Sequence, residues 1–254
     1  MRKVLGSLAL FGILATSGMV YAQQEIDACW KLNNDFDFEG AIKAGKLAVK
    51  KYPKNSKAFQ CLGLAYYNYY THAEMYFDIR RVNLNYLNKF RDLAYKNMKK
   101  AESLTDNKED LMYIYKQIGD ILSVYYLGST EKYDDALLYY NKSLNLAKEL
   151  NNTDIQAAVL KSIADIYNDK GELDKALSYY EKYLSLEKNE ENRKDTYEKI
   201  ATIYTSMGEL YRNKGDKKTA KEYYTRAYNL YKSIGQDYYA QDVIKRIKQL
   251  DKSK

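Results

Sequence analysis

Chemistry needs particular side chains at particular spacings, and this chain offers few of them. His72 is the one histidine in 254 residues. A Ser/His/Asp triad, a paired-histidine metal site and the H-E-x-x-H zinc helix are therefore each limited to one residue or excluded. Cys29 and Cys61, with a single histidine, cannot furnish the four ligands of a structural zinc site. In an oxidising compartment an even pair of cysteines can persist as a disulfide. The other reading is two small apolar residues buried on neighbouring helices. Among 34 acidic residues no pair stands out as a glycosidase-type acid and base, which need fixed positions across a cleft. The stretch GELYRNKGDKKTA, residues 208–220, has the look of a phosphate loop, but its glycine gap is too long and Asp216 stands where lysine is required. The chain therefore reads as no enzyme, with no catalytic residue, cofactor or metal.

What is left is recognition at a surface. Tyrosines number 29, and Tyr67, Tyr69, Tyr70 and Tyr76 cluster in YNYYTHAEMYFDIRRVNLNYLNKF near His72 and Tyr86. Exposed rings of this kind stack on sugars or anchor a protein partner. Rings buried in a longer helix pair would do neither. KALSYYEKYLSLEK, residues 175–188, poses the same question with Tyr179, Tyr180 and Tyr183.

The elements that must position these residues are helical. One proline and 12 glycines leave few breaks, and 46% hydrophobic residues suffice for a core. Aligning residues 161–189 with 205–233 pairs Ala164 with Gly208, Tyr167 with Tyr211, Gly171 with Gly215, Ala176 with Ala220 and Tyr180 with Tyr224, at a constant offset of 44. Each unit reads as two amphipathic helices joined at a glycine turn. A small residue on each helix permits close approach, and a ring fills the space beside the contact. No unit buries its apolar face alone, so units must stack.

This pattern resembles the tetratricopeptide repeat. Weaker copies carry Gly119, Ala136 and Tyr140; Gly63, Ala94 and Met98; and Cys29, Ala41, Ala48 and Pro53, so the resemblance spans about residues 24–234. The third unit has a longer turn around YLGSTEKYDD, and the second has extra residues near 67–90 that read as helical extension. The resemblance implies an all-α, right-handed α-solenoid of about five units over residues 23–235, with a capping helix and tail over 236–254. On that helix Tyr239, Val243, Ile247 and Leu250 form the expected apolar stripe. The resemblance also implies a concave groove lined by first helices, faced by Asp120, Asp165 and Glu209, with Lys116 and Lys161 one turn earlier. An acidic stripe would favour a protein or peptide partner bearing basic groups. The plainer reading is i, i+4 pairing of Lys116 with Asp120 and of Lys161 with Asp165. Tyr140, Tyr180 and Tyr224 belong to the packing face, which leaves Tyr139, Tyr179 and Tyr223 undecided.

MRKVLGSLALFGILATSGMVYAQQ opens with two cations, an apolar run and small residues before Gln23, the pattern of a secretory signal with cleavage after Ala22. Membrane attachment is expected only if that signal stays uncleaved. Net charge is +7, and the positive residues form no long block, so no nucleic-acid partner is expected. The combined expectation is an exported, periplasmic or extracellular scaffold for envelope assembly, secretion or division complexes. A tyrosine-based glycan or peptidoglycan binder is the alternative, and an accessory subunit of an envelope enzyme is a weaker one.

Overall fold

The structure is a computed structural model that describes residues 24–76, 84–124 and 132–252. The signal segment, residues 1–22, lies outside the described residues, as do residues 125–131 of the long turn and 77–83 of the insertion. Among the described residues every regular element is an α-helix, and no helix is long and apolar enough to cross a membrane.

Helix α1 covers residues 24–34. It is followed by α2 (Phe38–Lys51), α3 (Ser56–Tyr76), α4 (Leu84–Glu102), α5 (Lys108–Ser123) and α6 (Tyr133–Glu149). Then come α7 (Thr153–Asp169), α8 (Leu173–Leu186), α9 (Glu190–Asn213), α10 (Lys217–Ser233) and α11 (Asp237–Lys252). Two compact units divide the chain between Leu146 and Ala147, within α6.

Starts and stops are written locally. Asn107, Asn152 and Asn189 cap α5, α7 and α9 by accepting from the amide three residues on, as Asp37 and Asp216 do for α2 and α10. Gly171 and Gly215 take φ of +72° and +82° in the turns within the α7–α8 and α9–α10 pairs, where a Cβ would be strained.

In the first unit, α3 packs against both α2 and α4. The insertion is helical as far as it is described, since α3 runs 21 residues and α4 runs 19. Cys29 and Cys61 are joined, tying α1 to α3 with their Cα atoms 6.2 Å apart. Buried Asn33 donates to Cys29 O at 3.2 Å and Cys61 Sγ at 3.3 Å, and accepts from Asn68 at 3.2 Å. In the second unit, α10 and α11 share a core of Tyr224, Ala227, Tyr231, Ala240, Val243, Ile247 and Leu250. The stripe on α11 thus begins at Ala240. Tyr239 is exposed and stacks on Tyr231 at 5.3 Å, because a ring at the first turn overhangs the helix end.

Candidate functional site: the first-helix face

Three times the chain builds the same device. A small residue on the first helix lies under a tyrosine ring of the second, and that tyrosine donates its hydroxyl to the carboxylate next to the small residue. Tyr140 reaches Asp120 Oδ1 at 2.9 Å, Tyr180 reaches Asp165 Oδ1, and Tyr224 reaches Glu209 Oε1 at 2.6 Å. The rings of Tyr140, Tyr180 and Tyr224 are fully buried. A Cβ on Gly119 would come within 2.6 Å of Tyr140, and one on Gly208 within 2.5 Å of Tyr224, so the fit admits no side chain at either glycine.

Each carboxylate also meets a cation. Asp120 takes Lys116 at 2.6 Å. Asp165 takes Lys199 of α9 at 2.7 Å, and Glu209 takes Arg212 and, from α11, Arg246. Lys161 pairs with Asp195 of α9 at 3.0 Å, so the expected Lys161–Asp165 pair does not form. The reason is geometric: the neighbouring first helix brings an opposite charge closer than the same helix one turn away. Asp120 in the first unit, and Asp165 and Glu209 in the second, are thus each met by a cation of their own unit.

Burial raises Tyr224, and the hydrogen bond to Glu209 and its charge raise it further, to about 12. Tyr180 is pushed well above the ordinary phenol range, first by burial and then by Asp165. Burial alone would raise Glu209. The Tyr224 and Arg246 hydrogen bonds and the Arg212 charge outweigh it and hold the carboxyl below its usual value.

Tyr139, Tyr179 and Tyr223 are half-buried, each against another tyrosine ring. Tyr179 lies on Tyr167 at 5.5 Å, Tyr223 on Tyr211 at 5.5 Å, and Tyr139 near Tyr115 at 5.9 Å. Three residues beyond each, Lys142, Lys182 and Arg226 cover the ring face at 4.9, 4.6 and 5.6 Å. The rings expected to form an aromatic patch differ in exposure. Tyr70 is fully buried, Tyr69 tilts against Phe90 at 4.5 Å, and Tyr67 is half-buried. The α3–α4 pair is long enough to need these rings as its own core, and the side chain of Tyr76 lies outside the described residues. His72 is exposed and edge-on to Phe38 at 5.3 Å.

A cavity of about 360 Å³ opens between α7, the end of α8 and the start of α9, lined by Thr153, Ala157, Ala158, Lys161, Leu186 and Asn192. Its rim is held in place. Glu187 accepts from Tyr183 at 2.7 Å, Asn189 N at 2.7 Å and Asn192 Nδ2 at 3.0 Å. The Asn189 amide, with the Tyr183 and Asn192 bonds, holds the Glu187 carboxyl down to about 2. Arg193 donates to Leu184 O at 2.6 Å and Glu187 O at 3.0 Å. Sequence reasoning missed this rim, since no periodic signal marks Glu187 or Arg193. The tyrosine–carboxylate pairing did leave a signal, a separation of 15 residues in both Asp165–Tyr180 and Glu209–Tyr224.

Helix pairs closed by a small residue under a ring, repeated along the chain, define a helical repeat protein. Residues 120–189 and 201–234 each match a family model of the tetratricopeptide repeat. The chain is a tetratricopeptide repeat protein with an all-α solenoid fold. No curated protein matches its sequence. Among solved structures, MamA is 21% identical with a TM-score of 0.52, covering 85% of this chain and 94% of that one. MamA 41-end from Desulfovibrio magneticus RS-1 is 16% identical with a TM-score of 0.54, covering 84% and 96%. TTC0263, a thermophilic tetratricopeptide repeat protein of Thermus thermophilus, is 21% identical with a TM-score of 0.51, covering 72% and 80%. At these identities the likeness is one of fold.

Proposed function

We propose that this protein is an exported interaction scaffold that holds an extended segment of a protein partner against the first-helix face of its second unit. The observation that carries this is the cavity at Ala157 and Ala158. Alanine side chains on α7 let a partner backbone approach, Leu186 supplies apolar contact, and Lys161 and Asn192 supply polar contact at its edge. The rim is fixed by the Glu187 and Arg193 hydrogen bonds before any ligand arrives, which lowers the ordering cost of binding. Asp154 and Glu187 are balanced by Lys161 and Lys188 around the cavity, so selection rests on shape and main-chain hydrogen bonding more than on net charge.

Export is supported by the charged, apolar and small-residue order of residues 1–22. A buried disulfide, which persists in oxidising compartments, supports it further. The clients we assign are complexes of envelope assembly, secretion or division. The glycan alternative loses its support with Tyr70 buried and Tyr69 packed on Phe90.

A photo-crosslinking residue placed at position 158 tests the reading, with position 178, exposed on α8, as control. Position 158 should give discrete protein adducts in envelope extract, abolished by Leu186→Asp. Identical adducts from both positions, or none from 158, would overturn it. Amino-terminal sequencing of the envelope-fraction protein should begin at Gln23.

A further inference from the structure

Charge is sorted between the helices of the first unit. On the solvent side of α2, Lys43, Lys46 and Lys50 are exposed, and on that of α4 so are Lys89, Lys96 and Lys100. Among the described residues none of these six lies within ion-pair distance of a carboxylate. Asp92, exposed beside them on α4, is met by Arg91 at 3.2 Å. Exposed lysines outside any ion pair also occur in the second unit, at Lys182, Lys188, Lys194 and Lys218, so what marks α2 and α4 is the apolar residue set among theirs.

Between the lysines stand two exposed leucines. Leu47 is 57% exposed and Leu93 is 37% exposed. Lys43, Leu47 and Lys50 repeat as Lys89, Leu93 and Lys96, the same four-then-three spacing in KAGKLAVK and KFRDLAYK. On a helix that spacing sets the leucine between a lysine one turn behind and one turn ahead. Both helices pack on α3, where Lys46 of α2 lies over the Tyr66 ring at 6.0 Å and Tyr66 meets Phe90 of α4 at 6.0 Å. On α6 the corresponding surroundings of exposed Leu138 are Asp134 and Asn141, and the outer side of α8 carries Ser178, Glu181, Lys182 and Ser185. Among these helices the basic, leucine-bearing face is thus confined to α2 and α4.

We propose that this face docks on an anionic phospholipid surface, with the lysines at the headgroups and Leu47 and Leu93 in the interface. An acidic protein groove would satisfy the lysines. It would not require an isolated leucine at the centre of each lysine pair, whereas a lipid interface accepts both at one depth. The proposal is separate from the peptide-holding reading, which concerns the second unit.

Full chain is mixed with phosphatidylcholine vesicles, with and without phosphatidylglycerol, and bound protein is read by flotation. The amino-terminal segment, with Arg2 and Lys3 before its apolar run, is common to all variants, so the readout is the part of the anionic-lipid increment that the α2 and α4 substitutions change. Partition should rise on the order of tenfold or more, and that rise should vanish above about 0.5 M salt. Lys43→Gln with Lys89→Gln should remove most of the increment, Lys43→Arg with Lys89→Arg should keep it, and Leu47→Ser with Leu93→Ser should lower it severalfold. Unchanged thermal melts establish that the variants are folded. No increment, an increment untouched by Lys→Gln, or one untouched by Leu→Ser would overturn the proposal. The last of these would point to a purely ionic partner such as an acidic protein.

Discussion

Replacing Gly208 by alanine tests the tightest glycine contact in the second unit. The new methyl would lie 2.5 Å from the ring of Tyr224, inside any tolerated carbon separation. The ring sits in a fully buried core with Ala220, Ala227 and Val243 and has little room to retreat. Overpacking of this kind costs about 1–3 kcal/mol. Alanine in place of a helical glycine recovers about 1 kcal/mol. We expect net destabilisation of up to about 2 kcal/mol, read as a fall of up to a few degrees in melting temperature for a chain of this length. Retreat of the ring also draws the Tyr224 hydroxyl off Glu209 and frees a carboxylate that Arg212 and Arg246 hold. The control is the same substitution beside Tyr224→Ala. With the ring gone, the alanine at 208 should stabilise by about 1 kcal/mol, giving a coupling of roughly 1–3 kcal/mol between the sites. Urea denaturation followed by circular dichroism measures both. If Gly208→Ala stabilises the otherwise unaltered chain by the propensity gain alone, the steric account of the repeat is wrong.

Three further outcomes rest on the same kinds of contact. Tyr224 titrates near 12 in the fold against 10 ordinarily, a raised group, so its contribution is complete below pH 10 and is lost between about 10 and 12; Tyr224→Phe should flatten that part of the alkaline melting curve, and an unchanged curve would count against the Glu209 bond. Glu187 is held at about 2, a lowered group, so its contribution is present above the ordinary carboxylate value of 4.5 and fades as pH falls towards 2; Glu187→Gln should blunt that acid sensitivity in a pH series of melts. Opening the Cys29–Cys61 bridge, which spans 32 residues, should cost roughly 3–4 kcal/mol by loop entropy, read as a lowered urea midpoint with dithiothreitol and reproduced by the double Cys→Ala variant.

The repeat was legible because it is written in size. Ala164, Gly208, Ala176 and Ala220 mark close approach, and Tyr180 and Tyr224 mark the space beside it; each side chain needs only its own volume to be read. Gly171 and Gly215 were legible as turns for the same reason, as positions where the missing Cβ is the information. The partners of Asp165 and Lys161 were not, because side-chain pairing across units depends on the distance between first helices, which no local spacing records. Lys199 and Asp195 come from another helix, and i, i+4 logic sees one helix only. Tyr69 and Tyr70 were ambiguous for a related reason. A tyrosine-rich helix of 21 residues has rings enough to cover both a core and a surface, and the partner helix decides which.

The position after each small residue shows how a repeat can use a polar side chain on itself. A tyrosine large enough to fill the gap beside a glycine brings its hydroxyl to the edge of the first-helix face, where an unmet donor would cost about 1–3 kcal/mol. Aspartate or glutamate at the next position accepts that donor, and the remaining negative charge then calls for a cation. In the α7–α8 and α9–α10 pairs the cation comes from the following element, Lys199 of α9 and Arg246 of α11, so the ring that closes one pair also fixes the pair to its neighbour. Arg246 meets this need on α11, which presents Lys245 and Lys248 to solvent, so the capping helix completes the last carboxylate as well as the last apolar face. The surface this pairing does not consume includes the alanine-floored cavity between α7 and α9, which is why the proposed reading places the partner there.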